Sequence, residues 1–181
     1  MANIITVIRL LLVPVFLFFI LTEGKNHETI ALTVFLLAAA TDLVDGYIAR
    51  TTRQITEIGR IIDPIADWAL IIAALAGLLY LNVIPIWAFA CLMIRDGVLA
   101  VGHIVLRVMK KRIVHVNLFG KITNFTLMIS ICALLFQAAY LKTSAFIWLF
   151  YASVLLYMVS GLVYIVQQAG LISLDLKGGR T

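Results

Sequence analysis

The sequence predicts an all-α integral membrane protein, a bundle of six transmembrane helices with both termini in the cytoplasm, and three observations carry that prediction. Of the 181 residues, 64% are hydrophobic and only 13% charged, whereas a soluble domain is roughly half apolar and a quarter charged. Six apolar stretches approach the ~20 residues that a spanning helix needs. Lys and Arg are abundant in alternate loops and sparse in the others, as a fixed orientation requires. One soluble core of this size cannot hide so much apolar surface, so lipid must act as the solvent for much of it.

The first span, Thr6–Leu21, reads as a retained helix and not a cleaved signal, because no A-x-A-like site follows Leu21 and five more spans come after it. The second, Thr29–Ala49, ends in a cluster of acids and small residues, and the third, Ile61–Leu81, begins in another. The fourth, Ile84–Leu106, holds the charged dipeptide Arg95-Asp96, together with a His103 that has no Cys or His at ligand spacing. The fifth and sixth are Ile122–Tyr140 and Ala145–Gln168. Short loops make sequential helices antiparallel neighbours. No soluble domain, low-complexity linker or internal repeat interrupts them, so residues 1–181 read as one membrane domain.

Orientation follows from the cations. Arg50, Arg53 and Arg60 lie after the second span, and Arg107, Lys110, Lys111, Arg112 and Lys121 after the fourth. Lys177 and Arg180 are in the tail and Arg9 is near the start, while the opposite side offers only Lys25 and Lys142. The net charge of +5 is thus divided among short loops, which suits anionic lipid and topology rather than nucleic acid. Cys91 and Cys132 both lie in apolar runs, which argues against a disulfide framework.

Chemistry concentrates between spans two and three. Asp42 and Asp45 are three residues apart, Asp63 and Asp67 four apart, so each pair shares one helix face. A short loop lets the two faces meet near the cytoplasmic boundary of the membrane. Four uncompensated carboxylates there would repel one another and lose hydration. Hard divalent cations suit an all-oxygen set better than zinc does, and two of them can clamp a pyrophosphate. Gly46, Ala49 and Gly59 leave room for a nucleotide or for a neighbouring backbone, and ordinary small-residue helix packing would look the same. A cation or proton pathway also places acids in spans, but it more often sets them near mid-membrane on broken or repeated helices.

These residues resemble the signature of the CDP-alcohol phosphatidyltransferase family, D-x2-D-G-x2-A-R-x8-G-x3-D-x3-D. Asp42, Asp45, Gly46, Ala49, Arg50, Gly59, Asp63 and Asp67 match every position, with Thr51–Ile58 as the eight-residue gap. The resemblance implies a two-metal site for Mg²⁺ or Mn²⁺ with Asp42, Asp45 and Asp63 as ligands. Asp67 would be the base toward the acceptor hydroxyl, also touching metal. It implies CDP contacts from Gly46, Ala49, Arg50, Thr56 and Gly59, a homodimer, and a bacterial plasma membrane with the active site facing the cytoplasm.

Within the family, Asn3-Ile4-Ile5-Thr6-Val7-Ile8-Arg9 is similar to the N-x-L-T-x-x-R stretch of the phosphatidylglycerophosphate synthase branch, which adds Asn3 and Thr6 to the nucleotide contacts. Asp63-Pro64-Ile65-Ala66-Asp67, Gly120-Lys121 and Ser160-Gly161 with Tyr164 fit the same branch. The implied reaction moves the phosphatidyl group of CDP-diacylglycerol to sn-glycerol 3-phosphate and releases CMP. Trp68, Asp96 and Thr123-Asn124 depart from that branch, and phosphatidylglycerol or another alcohol phosphate stays open as acceptor. Arg95, Lys121 and Arg60 are the candidate contacts to an acceptor phosphate. The alternatives are an ion pair with Asp96 or one of the four aspartates for Arg95, snorkelling to headgroups for Lys121, and an orientation signal for Arg60.

Overall fold

A computed structural model describes the backbone of residues 2–22, 24, 26–52, 57–108, 118–141 and 143–178, and the side chains of 7–22, 24, 26–41, 65–102, 120–141 and 143–167. Every element among the described residues is helical: α1 (Ala2–Leu21), α2 (His27–Thr52), α3 (Glu57–Tyr80), α4 (Ile86–Val108), α5 (Leu118–Phe136) and α6 (Ile147–Gly178). A five-residue π-helical segment, Gln137–Leu141, continues α5. All six expected spans coincide with a helix, and most of the helices run on into flanking polar residues.

The ends follow local chemistry. Asn82 takes the left-handed conformation (φ 56°) that closes α3. The Val83 N–H reaches the Leu78 carbonyl at 2.9 Å and the Asn82 N–H reaches that of Leu79 at 3.0 Å. Those two bonds are a Schellman closure, which satisfies carbonyls the helix would otherwise leave open, and Pro85 follows to prevent continuation. Asn26 (φ 71°) turns the chain into α2 in the same conformation. In the π segment, buried Gln137 accepts the Phe146 N–H at 2.7 Å through Oε1, tying the end of that helix to the start of α6. Nothing in the apolar periodicity marks this widening in advance.

Residues Met1–Ile84 with Ile131–Ile147 form one compact unit, and Pro85–Ser130 with Trp148–Thr181 form a second. In the first unit α1 is the helix on which both α2 and α3 pack. Phe16 meets Phe35 with ring centroids 5.9 Å apart, and Ala38, Ala73 and Ala74 are small enough to keep backbones close. A Cβ at Gly77 would come within 2.9 Å of the Ile20 side chain, so that glycine sets the approach of α3 to α1. Arg9 meets Asp67 and, further along both helices, Ile20 meets Gly77. Contacts that advance together mean that α1 and α3 run parallel, and α1 lies between α2 and α3. The second unit buries Leu92, Leu127, Phe150 and Val154, and Ser153 donates to the Leu149 carbonyl at 2.9 Å.

The buried core is apolar, but the exposed surface is unlike that of a water-soluble domain. Leu11, Phe18, Ile86, Trp148, Leu155 and Val166 are all exposed, while Arg9, Thr123, Ser130, Gln137, Ser153 and Ser160 are buried. A lipid solvent selects that arrangement, because polar groups left facing hydrocarbon have no partner. Two helical stretches, Gly120–Leu141 and Ile147–Gln167, are long and apolar enough to cross a membrane. Val7–Leu21, His27–Thr41 and Ile65–Tyr80 are shorter apolar stretches of the described residues.

Candidate functional site

The backbone is helical through both aspartate pairs. Asp42, Asp45, Gly46, Ala49 and Arg50 lie in the last turns of α2, and Gly59, Arg60, Asp63 and Asp67 in the first half of α3. Helical geometry therefore brings positions 42 and 45 to one side of α2, and positions 63 and 67 to one side of α3. The side chains of Asp42, Asp45, Gly46, Ala49, Arg50, Gly59, Arg60 and Asp63 lie outside the described residues, as do those of Asn3 and Thr6 in α1 and the whole of Thr56. Among the described residues no group of three or more His, Cys, Asp or Glu comes together. The donor set itself, carboxylates alone at helical spacing, fits a hard divalent cation.

Asp67 is the member of the quartet whose side chain is described. It lies between Ala66, fully buried, and Trp68, exposed, and its own side chain is 44% exposed. The guanidinium of Arg9 donates through Nη1 to Asp67 Oδ1, linking α1 to α3 across 58 residues of sequence. Arg9 is the sole charged residue of α1 and is 1% exposed. It therefore brings positive charge to the carboxylate from inside the first unit, while the Asp67 side chain is 44% exposed. The sequence reading placed Arg9 in a motif and in the charge bias of the N-terminal end; its partner is a structural finding. One signal could have flagged it: a lone arginine in an apolar span is costly without a counter-charge.

Arg95 makes the ion pair with Asp96 that the sequence left as one of its alternatives. Nη1 donates to Asp96 Oδ1 at 2.9 Å, and both side chains are mostly buried (14% and 12% exposed). From α6, Tyr157 donates its hydroxyl to the same oxygen at 3.1 Å, and its ring lies 3.9 Å below the guanidinium carbon. Gly161, one turn on, makes room for the arginine, since a Cβ there would stand 2.9 Å from Arg95 Nε. That Nε is buried without a hydrogen-bond partner among the described residues. The Ser160-Gly161 resemblance thus acquires a physical reason, whereas no pattern in the sequence singled out Tyr157. Lys121 is exposed in the first turn of α5, next to buried Thr123, whose hydroxyl donates to the Gly120 carbonyl at 3.0 Å.

Residues 1–166 match the CDP-alcohol phosphatidyltransferase family. A Streptomyces coelicolor protein named "Cardiolipin synthase (CMP-forming)" is 34% identical over 96% of this chain and 84% of its own. A Mycobacterium tuberculosis protein named "Probable phosphatidylglycerophosphate synthase" is 32% identical over 92% of this chain and 80% of its own. The "CDP-diacylglycerol--glycerol-3-phosphate 3-phosphatidyltransferase" of Bacillus subtilis is 32% identical over 74% of this chain and 75% of its own.

Proposed function

The chain belongs to the CDP-alcohol phosphatidyltransferase family, and from that premise we propose that it is a membrane enzyme joining CDP-diacylglycerol to sn-glycerol 3-phosphate at the Asp42, Asp45, Asp63 and Asp67 cluster. It transfers the phosphatidyl group, giving phosphatidylglycerophosphate and CMP in phospholipid biosynthesis, the reaction named for several relatives. The observation that carries the site is the complete spacing from Asp42 to Asp67 in the sequence, with each aspartate pair on helical backbone.

The residues divide the work. Asp42, Asp45, Asp63 and Asp67 would hold the divalent cations, Mg²⁺ or Mn²⁺. Two such ions would neutralise the pyrophosphate and the leaving phosphate as charge develops. Arg50 offers a planar fork of donors to a phosphate of the CDP moiety. Gly46, Ala49 and Gly59 leave space for the nucleotide, and Thr56, Asn3 and Thr6 supply further polar contacts. Asp67 accepts the proton of the acceptor hydroxyl as its oxygen bonds to the β-phosphorus. The bond from that phosphorus to CMP breaks, and CMP leaves with the electron pair. Among the cations expected at an acceptor phosphate, Arg95 already shares Asp96 and Tyr157, while Lys121 is exposed. Lys121→Gln should therefore raise KM for glycerol 3-phosphate and leave that for CDP-diacylglycerol alone; equal KM values would remove Lys121 from the acceptor site.

The membrane setting is proposed as six spans in one domain, with both termini and the aspartates on the cytoplasmic side of a bacterial plasma membrane. The family match running across most of the chain and the Lys/Arg bias support it. Cysteines placed at His27 and at Arg53 of a variant lacking Cys91 and Cys132 should label from opposite sides of the membrane. Labelling from one side would sink the topology. Assembly as a homodimer belongs to the same proposal.

A second reading keeps the chemistry and changes the acceptor to phosphatidylglycerol, and the cardiolipin synthase name of the Streptomyces relative favours it. CMP release by the purified protein with Mg²⁺ or Mn²⁺, offered each acceptor alone, decides. Release that depends on glycerol 3-phosphate supports the first reading, and release with phosphatidylglycerol alone supports the second. Absence of CMP release with both acceptors would overturn both.

A further inference from the structure

We propose that Arg9 is a positioning residue, which holds the Asp67 carboxylate in the orientation that receives the acceptor proton. The inference rests on reading Asp67 as the base. An arginine at 1% exposure in a helix with no other charge has given up both water and the usual route of extending to the membrane surface. Its guanidinium instead donates to Asp67 Oδ1, so the rotamer of the carboxylate is set from α1. Two features make the hold rigid. Arg9 is walled in by the packing of α1 against α2 and α3, and Ile20 seats against Gly77 further along, which fixes the register of α1 on α3. Asp67 is itself 44% exposed, so the carboxylate gripped by the buried arginine is still reachable from solvent. A surface salt bridge would offer two mobile side chains and little order. Here Arg9 is fixed by burial and in turn orders the carboxylate it donates to.

The test is a cycle of Arg9→Gln, Asp67→Asn and the double variant, with Arg9→Lys as the conservative exchange, in detergent or vesicles with Mn²⁺. Arg9→Gln should lower kcat about 10–100-fold, the loss expected when a reacting group drifts from its geometry. KM for CDP-diacylglycerol and the calorimetric affinity for CDP with Mn²⁺ should stay within about threefold, because Arg9 acts through Asp67 and not on the nucleotide. Arg9→Lys should recover part of kcat, and in the Asp67→Asn background Arg9→Gln should cost less than about threefold more. Wild-type kcat in Arg9→Gln alongside an inactive Asp67→Asn would overturn the role of Arg9 and leave the base in place. Wild-type kcat in Asp67→Asn would overturn the base reading itself. Losses that multiply in the double variant, or CDP affinity falling with kcat, would make Arg9 merely structural. If Arg9→Gln does not fold, Arg9→Lys carries the test: kcat lowered at unchanged CDP affinity upholds the role, and unchanged kcat overturns it.

Discussion

Two arginines are buried among apolar helices, and each has an aspartate, but the pairs are built differently. Arg9 crosses from α1 to α3 to a carboxylate 58 residues away that remains half exposed. Arg95 turns to the next residue, Asp96, where both partners are mostly buried and Tyr157 closes over them with its ring and its hydroxyl. The first pair is exposed at its aspartate, and the second is mostly buried at both partners. A charge pair sealed from solvent returns little beyond its desolvation cost and serves mainly to define packing, and breaking one partner of it is expensive. A pair with one accessible carboxylate can hold that carboxylate ready for something else. Loss of function should therefore follow the first pair and loss of stability the second.

The largest expected effect is at the first pair. Asp67→Asn should cut turnover by about 10²–10⁴-fold, the range for removing a general base, while CDP binding with metal persists. CMP release and calorimetry on the same preparation read both, and unchanged turnover would break the contrast at once. Asp45→Ala sharpens it from the other side, because a metal ligand should weaken metal-dependent CDP binding itself; unaltered affinity would take Asp45 out of the ligand set.

At the second pair, Asp96→Ala should cost on the order of 3 kcal/mol, since Arg95 keeps its charge and loses its counter-ion in a low-dielectric interior. Thermal unfolding in detergent measures it, and kcat per folded molecule should remain near wild type. A rise in KM for glycerol 3-phosphate at normal stability would reverse the assignment and turn Arg95 into an acceptor contact. Gly161→Ala should cost about 1–3 kcal/mol by overpacking, because the arginine stem it meets is pinned by Asp96 and Tyr157 and cannot swing aside. Tyr157→Phe is the mildest, about 1 kcal/mol for one lost hydrogen bond with the ring retained. A Tyr157→Phe loss as large as that of Asp96→Ala would mean that the hydroxyl, not the charge, holds the cluster.

Much of this was legible in residue order. Helix positions follow from apolar runs bounded by polar loops, and α3 ends at the Asn82 and Pro85 signals that close helices generally. The four aspartates stand out because intramembrane acids are rare and because three- and four-residue spacing has meaning only on a helix. Gly161 was visible as a motif position without a reason, and the reason is the arginine lying against it. The π segment at Gln137–Leu141 was not visible, since its cause is a side chain reaching nine residues onward to the Phe146 N–H.

By itself the sequence determined that this protein is helical and adapted to lipid, and where its carboxylates fall along the helices, because hydrophobicity, helical periodicity and capping act over a few residues. Tertiary structure alone decided which charges meet. Nothing local ties Arg9 to Asp67, since that pairing depends on α1 packing parallel to α3 in a particular register, held by Ile20 against Gly77. Such a contact is the product of many weak side-chain fits summed over two helices, and no short stretch of either helix contains it.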